Sequence, residues 1–443
     1  MGFPRYPEYK DSGVEWLGAV PTGWDVWKLA QAFSVVGSGT TPRSENRAYY
    51  DDGDIAWLNT GDLNDGELLD CENRVTSIAL AENTALRIFP AGSLVIAMYG
   101  ATIGKLGVLR FSATVNQACC VFGGDSPISC AFMFYSFLGF RPQILSLATG
   151  GGQLNISQEI LRNLRVPCPS DVEQTTIATF LDHETAKIDA LITEQQHLIA
   201  LLKEKRQAVI SHAVTKGLDP AVAMKDSGVE WLGRVPGHWT CLQVGKVCDK
   251  VSDGPHFSPN YVEEGVLFLS ARNVKVDNWA LEDVKYVSAS DCDEFDRRVI
   301  PQPGDVLYTK GGTTGIARVV DFNQRFQVWV HIAVLKVKKD AVDSRFLALA
   351  LNSQACYEQS QLLTRGATNN DLGLTRMVKI WFVLPTFDEQ RQIVRVVEAD
   401  LAKLDTLTTE STRAIALLVE RRIALISAAV TGKIDVRNLA QQP

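Results

Sequence analysis

Gly100-Ala101-Thr102-Ile103-Gly104-Lys105 has the outline of a phosphate-cradling loop, in which glycine N–H groups and a lysine surround a nucleotide. The outline fails twice. Three residues separate the glycines where four are required, and Leu106 stands where a Ser or Thr would bind magnesium. Gly311-Gly312-Thr313-Thr314-Gly315 repeats the motif with Ile316 in place of the lysine, so both segments read as glycine turns between strands. Asp277 with Asp283-x-Lys285 imitates the acids and lysine of a metal-dependent nuclease. Six acids crowd residues 282–296, however, and such spacings arise there by chance. The six histidines form no pair at metal-ligand spacing on a helix. There is no Gly-x-Ser-x-Gly elbow, and no Asn-Pro-Pro-Tyr or Asp-Pro-Pro-Tyr box of the kind amino-methyltransferases carry. The nine cysteines are odd in number and lack any Cys-x-x-Cys spacing, which argues against a disulfide framework or a zinc site. Cys119-Cys120 sit in an apolar run, as buried small hydrophobes do. The sequence therefore points to a chain without a catalytic centre, cofactor or metal of its own, in a reducing, cytoplasmic setting.

Composition narrows the class further. With 443 residues, 46% apolar and 21% charged, the chain is large enough for two or three cores and ordinary for a soluble globular protein. No stretch reaches the roughly 18 to 20 apolar residues of a membrane helix, and the N-terminal residues show no apolar signal core. Met1-Gly2 opens like a myristoylation site, but Tyr6 stands where Ser or Thr is needed. The net charge of −7 argues against binding nucleic acid by bulk electrostatics, because such chains are usually basic. The charge is uneven, however. Residues 51–72 hold eight acids and no base, whereas the rest of the segment 19–170 holds ten bases against five acids. Net charge bounds solubility better than it bounds specific binding.

The elements that must carry any function occur twice. Lys10-Asp11-Ser12-Gly13-Val14-Glu15-Trp16-Leu17-Gly18 returns letter for letter as Lys225-Asp226-Ser227-Gly228-Val229-Glu230-Trp231-Leu232-Gly233. Val20-Pro21 and Trp24 recur in step as Val235-Pro236 and Trp239. Glu173-Gln174 matches Glu389-Gln390, and Val214-Thr215 matches Val430-Thr431. The repeat is about 215 residues, the scale of one domain and a connector.

Each copy ends in a long helix. Ser170-x-x-Glu173 and Thr386-x-x-Glu389 are capping boxes, each behind a proline, and Gly and Pro then vanish until Gly217 and Gly432. That leaves roughly 45 residues, or about 65–70 Å of helix. Apolar positions correspond across the copies: Ile177/Ile393, Leu181/Val397, Ile188/Leu404, Leu191/Leu407, Leu202/Leu418, Val209/Leu425 and Ile210/Ile426. Their spacing of threes and fours makes one stripe per helix. The expectation is that the helices pack on each other; the alternative is that each lies on its own domain. Between tag and helix, Asp54–Leu58, Ser93–Met98 and Gly107–Leu109 read as strands, with counterparts at Val266–Leu269, Asp305–Tyr308 and Ile316–Val319. The fold class is α+β: two pseudo-symmetric mixed α/β domains joined by two long antiparallel helices, coiled-coil-like and pseudo-cyclic. Its parts are a tag at 1–18, a domain at 19–169, a helix at 170–218, a second tag at 219–233, a second domain at 234–385, a second helix at 386–435 and a tail at 436–443.

The repeated tag, the Val-Pro…Trp that follows it, the helices beginning at Glu-Gln and the two-copy layout resemble the specificity subunit of type I restriction–modification enzymes. The resemblance covers essentially the whole chain. It implies two target-recognition domains, each reading one half of a bipartite site on double-stranded DNA. It implies that the helices are spacers that dock two modification subunits, which would carry S-adenosylmethionine and methylate adenine at N6. A restriction subunit using ATP and magnesium would join them. Two readings from other classes stand beside it: a free-standing sequence-specific DNA-binding protein, and a self-contained nuclease or methylase.

On the DNA-reading view, contacts are expected from loops at strand ends. In the first domain these are Thr40, Thr41 and Arg43 of the hydroxyl-rich turn 38–43, with Asn59, Tyr99, Lys105 and Gln153. In the second they are His256 of the loop 252–256, with Arg272, Asn273, Lys310, Thr313, Arg365 and Asn369. Arginine matches guanine, and Asn or Gln matches adenine, through paired hydrogen bonds in the major groove. Trp16 and Trp231 are expected to anchor cores rather than stack on bases.

Overall fold

The computed structural model describes residues 3–150, 152, 154–366 and 370–439. The chain divides into two compact units, Met1–Gln195 with Arg413–Pro443, and Gln196–Thr412. The long helices are Asp171–Lys216 and Phe387–Val430. Each is shared between the units, its start in one and its end in the other, whereas the sequence division above had treated each helix as a part of its own.

The first unit is built on a five-stranded sheet in the order Val35–Gly37, Cys119–Gly123, Leu94–Ala97, Leu106–Leu109, Gly66–Leu68. A three-stranded sheet sets Thr114–Val115 parallel to Ile55–Leu58, with Arg74–Val75 on the other edge. The central strands are buried along their whole length, which suits their continuous apolar runs. One core joins this sheet to both helices: Trp24, Val20, Leu94, Phe122, Phe132 and Phe137 pack with Ile177 and Leu181 of the first helix and Ile426 and Val430 of the second. Each such side chain contributes about 1.5–3 kcal/mol by burial. The start of one helix thus lies beside the end of the other, an antiparallel pairing marked by Arg422 Nε, 2.9 Å from Asp189 Oδ1. The second helix closes on Gly432, whose φ of +70° only glycine adopts freely, and the chain then meets its own beginning. Asp435 N donates to Pro4 O at 2.8 Å, and Tyr9 Oη donates to Gly432 O at 2.9 Å. That contact is the pseudo-cyclic closure.

The second unit repeats the plan with its strands divided four and four between the two sheets instead of five and three. A four-stranded sheet runs Cys248–Asp253, Ile332–Val337, Val306–Thr309, Ala317–Val319. A second holds Phe326–Val328 parallel to Val266–Leu269. Its core mirrors the first: Trp239 and Val235 pack with Ile393 and Val397 of the second helix and Ile210 and Val214 of the first. Arg206 pairs with Asp405, the repeat counterpart of the Arg422–Asp189 pair. The repeated glutamines are buried ties. Gln174 Oε1 accepts from Ser129 N at 2.7 Å, and Gln390 Oε1 accepts from Asp343 N at 2.8 Å, each capping a neighbouring helix.

Three details differ from the sequence reading. Thr386 and Glu389 form the expected box, with Glu389 accepting from Thr386 N at 3.0 Å. At the other helix Glu173 instead accepts from Tyr6 Oη at 2.6 Å, because the N-terminal segment packs there. Leu191 and Leu407 face solvent, 51% and 45% exposed, so the stripe breaks at the same place in both helices. Trp16 packs edge-on against Phe140 at 4.7 Å, but Trp231 is 40% exposed and anchors no core.

Candidate nucleic-acid interface

In the first unit the turn 38–43 starts where the strand Val35–Gly37 ends. A Cβ on Gly39 would lie 1.7 Å from the Val115 carbonyl oxygen, so only glycine lets the turn cross this close to the neighbouring strand. The turn is pinned on alternate residues. Trp57 Nε1 donates to Thr40 O at 3.2 Å, and Tyr50 Oη donates to Pro42 O at 2.6 Å. Thr41 and Arg43 are left exposed. Thr41 Oγ1 donates to Gln117 Oε1 at 2.7 Å, and Ser38 Oγ donates to Gln117 O at 3.2 Å. Next door, Asn116 Nδ2 donates to Asn59 Oδ1 at 2.9 Å. The fold therefore collects Thr40, Thr41 and Asn59 into one patch of hydroxyls and amides. Two exposed arginines flank it: Arg87 and Arg162 both donate to the Val36 carbonyl, at 3.2 and 3.4 Å. Tyr99 belongs to an adjoining element. It bridges to Asn155, which returns both backbone hydrogen bonds to Thr149, and Lys105 is exposed at the far end of the same turn.

The second unit has the same backbone and opposite chemistry. A Cβ on Gly254 would lie 1.7 Å from Val328 O, the same close approach. Beside it Asp253 is buried, its side chain 3% exposed, and meets two cations, Arg298 at 2.7 Å and Lys310 at 3.2 Å, and the His256 imidazole at 3.2 Å. Lys310 is itself buried and lies 3.7 Å from Asp371, which Arg376 holds at 3.2 Å. Leu372 N donates to Lys310 O, and Asp371 exchanges backbone hydrogen bonds with Arg365, so the turn 310–315 and the loop before Asp371 are joined. His331 packs against Gly311; burial, and then the Lys310 charge, push its pKa below the ordinary value, so it is neutral near pH 7. The two glycine motifs are hairpin turns, Gly100 and Gly104, and Gly312 and Gly315, all having positive φ. Among the described residues no group of three or more His, Cys, Asp or Glu is placed to hold a metal ion.

Comparison with known proteins places this scaffold. The family described as type I restriction modification DNA specificity domain matches residues 21–200 and 271–419. The chain belongs to that family. The specificity subunit of the type I restriction enzyme MjaVIII from Methanocaldococcus jannaschii is 22% identical over 436 residues, 95% of each chain. That of EcoKI from Escherichia coli is 22% identical over 446 residues, 96% of this chain and 92% of the relative. In fold, a solved chain from a work on complex assembly and conformational transition of the type I R-M system has a TM-score of 0.71 at 15% identity, covering 93% of this chain and 98% of its own. The HsdS subunit of Thermoanaerobacter tengcongensis has a TM-score of 0.54, also at 15% identity, over the same shares. The family's task is recognition of a DNA target.

Within this DNA specificity fold, several residues chosen from sequence take other duties. Asn273 is 6% exposed; it accepts from Ser270 N at 2.8 Å and donates to Ala280 O at 2.7 Å, closing a short 3₁₀ turn. Both ends of its amide are engaged within the turn. Its counterpart is Asp62, which closes the turn after Asn59 in the same way. Lys310 is a buried ionic tie rather than an exposed contact. Arg43, Thr313 and Arg365 are exposed in loops, and Arg272 is exposed on the 3₁₀ turn Ala271–Asn273. Gln153 and Asn369 lie outside the described residues. Gln117 and the Arg87–Arg162 pair were missed. The acidic stretch 51–72 is partly neutralised, Asp65 by Arg141, Glu67 by Arg110 and Asp70 by Arg74. Burial pushes the thiols of Cys119 and Cys120 up to about 12, which makes them inert. No helix among the described residues is long and apolar enough to cross a membrane.

Proposed function

We propose that this chain is the non-catalytic reading subunit of a type I modification and restriction complex in the cytoplasm, with one half of a bipartite DNA site read by each unit. The observation that carries the reading is the pair of loops at Gly39 and Gly254: one backbone, one close approach, and unrelated side chains around it. A split, asymmetric target asks for two readers of that kind. Two modification subunits dock on the helices. Leu191 and Leu417 are exposed on the helices of the first unit, and their repeat counterparts Leu407 and Leu201 are exposed on those of the second, so the same apolar footing is offered twice. The modification subunits carry S-adenosylmethionine, a restriction subunit uses ATP and magnesium, and this chain holds none of these. Partner subunits supply much of the phosphate-neutralising charge that a chain of net charge −7 lacks.

The test is incubation of the purified chain with labelled S-adenosylmethionine and host DNA, alone and then with its modification subunits. Methylation should occur only in the mixture. Methyl transfer by the pure chain would establish the self-contained enzyme instead, and tight site-specific binding by the pure chain would favour the free-standing DNA-binding protein.

A further inference from the structure

Resting on the recognition role proposed above, we propose that Gln117 is the side chain through which the first unit reads an A·T base pair in its half-site. Gln117 is exposed at the middle of the three-residue connection between Thr114–Val115 and Cys119–Gly123. That turn is fixed from three sides. Asn116 N donates to Leu58 O at 3.0 Å, Asn116 Oδ1 accepts from Ala118 N at 3.0 Å, and Ser38 Oγ holds the Gln117 carbonyl. The side chain is fixed as well, because Thr41 Oγ1 donates to Gln117 Oε1 at 2.7 Å. An amide oxygen has two lone pairs, and Thr41 uses one. What remains on the open side is one acceptor site on Oε1 and both N–H donors on Nε2. That is the set that pairs with adenine, whose N6 amino group donates and whose N7 accepts in the major groove. The Thr41 hydrogen bond holds the side chain's rotamer before DNA arrives, which lowers the ordering cost of binding.

The surroundings distinguish reading from mere positioning. Arg87 and Arg162 converge on the Val36 carbonyl, two residues before Ser38, and bring positive charge to the rim of the amide patch, where a DNA phosphate would lie. In the second unit the matching turn places Trp329 and Val330 where the first has Asn116 and Gln117: Trp329 N donates to Leu269 O as Asn116 N donates to Leu58 O. Valine has no hydrogen-bonding side chain, so amide reading at this position belongs to the first unit alone.

The experiment replaces the chromosomal copy by Gln117→Ala, Gln117→Glu and Thr41→Val variants and maps methylated adenines across the host genome. The wild-type chain should give a bipartite motif. Gln117→Ala should relax one strictly adenine position in one half, lowering discrimination there by roughly 5- to 150-fold, with the other half unchanged. Gln117→Glu should move the preference at that position toward cytosine, whose N4 amino group donates to a carboxylate. Thr41→Val, which keeps the shape but removes the tie, should relax the same position less. A motif that stays equally strict at every position in Gln117→Ala would overturn the assignment of Gln117 while leaving the recognition role intact. Absence of any motif dependent on the wild-type chain would overturn both.

Discussion

The loops that follow Gly37 and Asp253 occupy the same place in two copies of one scaffold, and they are stabilised by opposite means. The first is held by neutral hydrogen bonds from Ser38, Thr41, Trp57 and Tyr50, and its polar groups stay near the surface. The second is organised around a buried carboxylate that meets Arg298, Lys310 and the His256 imidazole. Neutral hydrogen bonds are worth about 0.5–1.5 kcal/mol each and tolerate loss. A buried ion cluster is different: removal of one member strands the others in low dielectric. What the duplication retains is therefore backbone geometry, the glycine crossing and the paired strands. The means of holding the loop has been free to change with its contents.

The largest contrast should come from Asp253→Ala. It leaves Lys310 and Arg298 buried or half-buried without their shared partner, and should destabilise the second unit by about 3–5 kcal/mol. Ser38→Ala at the matching place should cost about 1 kcal/mol or less. Urea unfolding of the two variants reads the difference, and equal losses would break the contrast. Gly39→Ala and Gly254→Ala should by comparison behave alike. Each forces a methyl into a carbonyl oxygen, with a cost of about 1–3 kcal/mol in either unit. Unequal effects there would show that the two crossings are not equivalent.

Acid should also separate the units. Burial works to raise the Glu389 carboxyl, but hydrogen bonds from Thr386, His238 and Trp239 outweigh it and hold the pKa at about 2, below the ordinary 4.5. A depressed carboxyl stabilises the fold above its unfolded pKa. The contribution is present at neutral pH, begins to fall near pH 4.5 and is gone once pH drops through about 2. Glu389→Gln should remove that part of the acid sensitivity, checked by thermal melts from pH 6 to pH 2. The smallest effect is expected from Arg87→Ala or Arg162→Ala. Each should weaken binding of the assembled complex to all sequences alike and reduce its salt dependence by about one phosphate contact, without changing which bases are chosen.

The sequence revealed the large elements because their signals are local. Identical tags, proline followed by a capping box, and long stretches without Gly or Pro are readable within a few residues. The helix stripe was legible except at Leu191 and Leu407, where surface apolar residues have the same spacing as buried ones. The loop residues were harder. Asn59 and Asn273 look alike in sequence, but the strands align Asn59 with Ser270 and Asp62 with Asn273, so one asparagine begins a 3₁₀ turn and the other closes it. Lys310 gave no sign of burial because its partners come from residues 253 and 371, far along the chain. Gln117 was overlooked because it stands inside an apolar run. The usable signal was two adjacent amides between two strand-forming stretches, which marks a turn.

The central claim is that the units read DNA independently, and domain replacement tests it most directly. Residues 234–385 are exchanged for the corresponding region of a relative, and methylated adenines are mapped in a host carrying the chimera. The account predicts a new sequence in one half of the motif and an unaltered sequence in the other. A motif changed in both halves, or in neither, would contradict it.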